Sequence, residues 1–139
     1  QLIEQGSSSE VLKIIKKDIS ELVGQNYETI AGEWIRRNFK NKFQYIGKWW
    51  DNNDEIDVVG FNQETKEIIF GEVKWSNRPV GTNIFFSLKR KAENVLWNND
   101  NRIEYYILFS KNSFTSEMKK IAKESGNIIL VDKDREIKA

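Results

Sequence analysis

Glu55-Ile56-Asp57 and Glu72-Val73-Lys74 are the residues of this chain whose types and spacing could do chemistry. In each trio two charged side chains flank one apolar residue. On a β-strand, residues two apart share a face. Neighbouring strands therefore bring Asp57, Glu72 and Lys74 into one space and turn Ile56 and Val73 away. Clustered carboxylates repel each other, and a divalent cation relieves the repulsion. Such an ion would draw on Asp57, Glu72, the backbone carbonyl of Val73 and waters. Lys74 would offset charge on a phosphate and hold or help deprotonate an attacking water. The chemistry is metal-assisted phosphodiester hydrolysis. Glu55 shares the face of Asp57, either as a supporting residue or as half of a structural ion pair. Acid-x-acid and Glu-x-Lys also occur on edge strands as solvated pairs worth under about 1 kcal/mol. What favours chemistry is their order on one hairpin, after a glutamate-bearing helix and before a crossover helix.

Composition narrows the metal. The chain has 139 residues, with neither histidine nor cysteine. That excludes histidine triads and bases, imidazole or thiolate zinc sites, and disulfides. Oxygen ligands remain, and they suit Mg²⁺ or Mn²⁺. Lys and Arg number 22 against 21 Asp and Glu, a formal net charge of +1. Binding to DNA must therefore come from a local patch. Arg78, Lys89, Arg90 and Lys91, on and just before the helix that follows Lys74, could contact the DNA backbone, or form a solvated helix face. Arg36, Arg37, Lys40 and Lys42 form a second basic cluster with the same two readings. There is no apolar run of membrane length and no signal peptide, so the expectation is a soluble, cytoplasmic domain. The length suits one domain. A chain that opens on Gln reads as a piece of something longer.

The elements that must position these residues follow from periodicity and turn chemistry. Residues 1–24 read as a lead-in, with Gly6-Ser7-Ser8-Ser9 as linker and apolar residues at helical spacing from Val11 to Val23. Asp18 and Gly24 leave room for one bent helix or two. Tyr27, Ile30, Ala31, Trp34 and Ile35 carry a helix to about Asn38, with Glu28 beside the apolar stripe. Strands are expected over 43–50, 55–61 and 66–75, separated by the turn clusters Asp51-Asn52-Asn53-Asp54 and Asn62-Gln63-Glu64-Thr65. A loop over 76–81 precedes a helix from Thr82. A strand over 104–109, a helix over 114–123 capped by Ser113 or Thr115 and closed by Gly126, and a strand over 127–131 complete the order α-β-β-β-α-β-α-β. The first three strands form a meander, and a right-handed helical crossover returns parallel to the third. Trp34 and Trp75 are expected in the core. Of the adjacent pair Trp49 and Trp50, one goes to the core and the other to a lid or an interface.

Glu28, Asp57 and Glu72-Val73-Lys74 on α-β-β-β-α-β resemble the PD-(D/E)xK restriction-endonuclease-like superfamily. The stretches Ile46-Gly47-Lys48-Trp49-Trp50, Asp54-Glu55-Ile56-Asp57-Val58-Val59-Gly60 and Gly71-Glu72-Val73-Lys74-Trp75-Ser76 resemble the C-terminal domain of archaeal P-loop ATPases. The likeness spans about residues 25–132, inside a domain taken as 25–139. It implies an α/β fold, a mixed sheet with an αβββαβ core and an additional αβ unit. It implies Asp57 and Glu72 as metal ligands, Lys74 as the catalytic lysine and Glu28 as the helix carboxylate. Glu55-Ile56 stands where the superfamily's older motif has Pro-Asp. No GxxxxGK[ST] loop occurs, so an ATPase motor would lie upstream. The expected function is a Mg²⁺-dependent nuclease domain cutting DNA, as the C-terminal part of a larger ATPase. The rival is a nuclease-like module without strong activity that binds DNA or a protein partner. A third reading is a structural domain whose homodimer surface centres on Trp50.

Overall fold

The computed structural model describes residues 2–4, 19–133 and 135–137. The apolar stripe expected over residues 11–18 lies outside them. The described chain forms β1 (Leu2–Glu4), α1 (Ile19–Asn38), β2 (Tyr45–Trp50), β3 (Glu55–Asn62), β4 (Glu67–Lys74), α2 (Thr82–Ala92), β5 (Ile103–Ser110), α3 (Ser116–Ser125), β6 (Ile128–Asp132) and β7 (Arg135–Glu136). All seven strands join one sheet in chain order. β2, β3 and β4 make the antiparallel meander, and β5 and β6 run parallel to β4. This is the mixed α/β architecture expected from the sequence, with the αβββαβ core and its additional αβ unit. Among the described residues, no helix is long and apolar enough to cross a membrane.

Two edge strands depart from expectation. Leu2–Glu4 falls in the stretch read as lead-in, where no strand is expected, yet it pairs antiparallel with β2. Arg135–Glu136 pairs with β6. Both are too short to carry a two-residue periodicity, and backbone pairing alone defines them. α1 runs unbroken through Gly24.

Helices cover both faces of the sheet. α1 lays Ala31, Trp34 and Ile35 against Val58, Ile69 and Ile107. On the other face, Phe85 and Leu88 of α2 and Met118 of α3 meet Ile68, Phe70 and Leu108. β4 is therefore buried on both sides from Glu67 to Glu72, as a central strand should be. The C-terminal end of α2 is tied down by the guanidinium of Arg102, only 3% exposed. It donates to the carbonyls of Ala92 at 3.0 Å, Val95 at 2.8 Å and Trp97 at 3.0 Å. Thr115 caps α3 and Gly126 closes it at φ 77°.

Two backbone details set the site. A Cβ on Gly71 would stand 2.4 Å from Cγ1 of Val58 and 2.9 Å from Cγ2 of Ile107, so only glycine fits. In β3 the register slips: Gly47 faces Val59, but Trp49 faces Ile56. One extra residue of β3 is thus accommodated opposite Lys48, a β-bulge. Ile56 and Val59 consequently enter the same core, under α2 and α3, while Val58 enters the α1 core. The expectation that Ile56 turns away from the face of Glu72 is corrected here, because strict alternation fails at the bulge.

The tryptophans divide. Trp34 and Trp49 are buried, and Trp50 is half-buried. Trp75 is 40% exposed, against the expectation of a core residue. β4 ends at Lys74, so the ring lies past the ladder, where the ammonium of Lys111 sits 5.4 Å from its centroid.

Candidate active site

Three elements converge beside the C-terminal end of β4. The strand itself delivers Glu72, 5% exposed. Asp57 comes from the bulge in β3, and its Oδ2 accepts the backbone N–H of Val73 at 2.8 Å. The β3–β4 ladder ends at the Val58–Gly71 pair, so the Asp57 side chain takes the place of the next rung. A strand residue's N–H and C=O point to the same side, so the carbonyl of Val73 also faces Asp57. Glu28 approaches from α1 on the opposite face of the sheet.

The electrostatics are strained at two of these acids. Burial first, then the charge of Asp57 and a hydrogen bond with it, push the pKa of Glu72 up to about 8. Lys91 of α2 pulls the other way, with Nζ 2.9 Å from Glu72 Oε1. Burial also raises Glu28 to about 7, helped by Asp57 and Glu55 and opposed by Lys48. Lys48 lies 3.6 Å from both Glu28 and Glu55. Burial works against its ammonium, but the charges of Glu28, Glu55 and Asp57 outweigh that and raise its pKa.

Glu67, on the same strand, is the useful contrast. It is also buried, and burial alone would raise its pKa. Hydrogen bonds from Lys42, Thr65 and Tyr105 overcome that and lower it. Glu67 is a fully partnered structural carboxylate. Glu72 has one ammonium and a neighbouring acid.

The remaining candidates fall around this centre. Glu55 is largely exposed and touches Lys48. Lys74 is exposed at the strand end, on the Glu72 face by alternation, and among the described residues its ammonium has no ion-pair partner. Arg78 and Lys89 are exposed. Arg90 grips Asp54 through two hydrogen bonds of 3.1 Å, which hold the Asp54 carboxyl below its usual range. Lys91 turns into the carboxylate site rather than outward with Lys89.

Sequence reasoning missed Lys48 and Lys91 as the site's cations. Each left a faint signal. Lys48 is a lone charge in an apolar, aromatic strand, where burial demands a partner. Lys91 stands three places after Leu88 and beside Ala92, both buried, which puts it on the flank of the buried stripe.

The residues fit a hard divalent ion. Asp57 and Glu72 are adjacent oxygen donors, and an ammonium already compensates Glu72. Among the described residues, no three acidic, histidine or cysteine side chains gather closely enough to hold a metal. Side chains would thus supply two ligands, leaving the rest to the Val73 carbonyl and water.

Known proteins bear on the chain as follows. An uncharacterized protein of Methanocaldococcus jannaschii is 33% identical over 126 residues, covering 85% of this chain. The chain spans only 26% of that relative's length. The crystal structure of a repair endonuclease from Pyrococcus abyssi superposes over 94% of this chain and 48% of its own, at 14% identity and a TM-score of 0.44. The profile of the DUF234 family, described as archaea bacterial proteins of unknown function, matches residues 1–96, which include Glu28, Asp57, Glu72 and Lys74. The chain belongs to the DUF234 family.

Proposed function

We propose that this chain is a metal-dependent nuclease domain that hydrolyses DNA phosphodiester bonds. The observation that carries the reading is the contrast between two buried glutamates on one strand. Glu67 is satisfied and held ionised, whereas Glu72 is pressed against Asp57 and pushed toward its neutral form. With both carboxylates charged, such a pair costs the fold stability. Perturbed carboxylates that lack a full set of partners mark functional sites.

Asp57, Glu72 and the Val73 carbonyl would hold Mg²⁺ or Mn²⁺. When bound, the ion would polarise a phosphate oxygen and lower the pKa of a coordinated water. The Val73 N–H fixes the carboxylate of Asp57 in place. Glu28 and Lys48 set the charge on the α1 side of that carboxylate. Lys74, next along the face from Glu72, would steady the attacking water and offset charge on the phosphate. Arg78 and Lys89, beside the same end of the sheet, would meet the DNA backbone. The much longer relative leaves room for further domains, and a P-loop ATPase upstream belongs to this reading.

A second reading is a binding module of the same fold. It is favoured by the pairing of Lys91 with Glu72, which neutralises one of the two acids. Incubation with single-stranded, duplex and branched DNA in Mg²⁺ or Mn²⁺ separates the two. The nuclease reading expects cleavage, reduced at least about 100-fold in Asp57→Ala, Glu72→Ala and Lys74→Ala. Cleavage that survives all three substitutions overturns it. DNA binding without cleavage selects the second reading.

A further inference from the structure

Lys91 is the cation nearest the paired carboxylates, and its place in the fold is specific. Its side chain is 18% exposed and that of Glu72 6%. It projects from the flank of α2, whose neighbouring Leu88 and Ala92 are buried in the core. The end of that helix is fixed by the three carbonyls that Arg102 holds. The helix is anchored, while the lysine stem has four flexible carbons. Lys74, the lysine of the strand motif, is exposed instead.

We propose that Lys91 is the site's resident counter-ion: its ammonium occupies the position on Glu72 that a divalent cation takes, and it leaves Glu72 when that cation binds. This rests on the metal-site reading above. A Mg²⁺ ion bonds carboxylate oxygen at about 2.0–2.1 Å. The ammonium already lies 2.9 Å from Oε1 of Glu72. Two cations that close on one buried oxygen repel strongly, and the flexible one is the one free to move. In the metal-free protein Lys91 offsets the charge of Glu72. Once released, it becomes a mobile positive group next to the place where a phosphate would lie. Arg90, one residue earlier, is held at the surface by Asp54, so the exchange belongs to a single side chain.

The test follows the ammonium itself. The full chain is labelled with ¹⁵N-lysine and ¹³C-glutamate, and Mg²⁺ is titrated while the lysine NH₃⁺ and glutamate carboxyl signals are observed. Lys91→Gln assigns the first signal and Glu72→Gln the second. Should Lys91→Gln fail to fold, Lys91→Arg serves for the assignment. The expected result is loss of the protected Lys91 signal along the same saturation curve as the Glu72 carboxyl shift. If Glu72 responds while Lys91 stays protected, the exchange is overturned and the metal site stands. If neither responds at millimolar Mg²⁺, the metal reading falls and the exchange falls with it.

Discussion

At the scale of single residues, Glu72 ties stability to pH. Its pKa is about 8 in the folded chain against an ordinary 4.5. Between those values the folded state binds more protons than the unfolded state. Stability of the metal-free protein therefore falls as pH rises from about 4.5 to about 8, and levels off above. Glu28 adds the same sign up to about 7. Glu72→Gln should remove most of this slope. The variant should match the wild type near pH 4 and exceed it by several kcal/mol at pH 8, measured by urea unfolding without metal. Parallel curves for the two proteins would show that Glu72 carries no strain. The identity of this residue was legible in the sequence, because Glu72 and Lys74 interrupt a face otherwise apolar. Its environment was not. Lys91 is 19 positions away along the chain, and only the crossing of α2 over the sheet brings it near.

At the scale of elements, β3, β4 and β5 pack too closely at Gly71 to admit a side chain. Gly71→Ala would drive a methyl into Val58 at 2.4 Å and Ile107 at 2.9 Å. Overpacking of this kind costs about 1–3 kcal/mol. Because Gly71 precedes Glu72, the same shift should displace the carboxylate and weaken the proposed Mg²⁺ site. Adding Val58→Ala relieves the closer clash and should restore at least half of the lost stability, checked by a double-mutant cycle in urea. Additive losses would place the strain elsewhere. The main helices and strands were legible because each carries its own periodicity and turn residues. The bulge at Asp57 was not. Ile56-Asp57-Val58-Val59 reads as a regular strand, and the slip exists only relative to β2. Trp75 was misplaced for a related reason: nothing in its type marks where the ladder stops.

At the scale of the whole molecule, the site is assembled from both sides of the sheet. Glu28 comes from the α1 layer and Lys91 from the α2 layer, with Asp57 and Glu72 between them. The strand order along the sheet is the strand order along the chain, and this has a kinetic consequence. The β2–β3 and β3–β4 ladders join strands separated only by the turns at 51–54 and 63–66, so the loops they close are short and the entropy lost is small. The β3–β4 hairpin needs only its own turn, and if it forms first it would bring Asp57 and Glu72 together while both are still hydrated. Their repulsion is then weak. In that order the cost would arise later, when α2 docks and removes the water. Near pH 8, Glu72→Gln should therefore slow unfolding more than about tenfold and leave the refolding rate within about twofold. Stopped-flow mixing would measure both limbs, and a gain confined to the refolding limb would reverse the order of events. A chain whose acids meet in water and are dried afterwards carries its chemical strain at the end of folding. The native state, rather than the path to it, holds that strain.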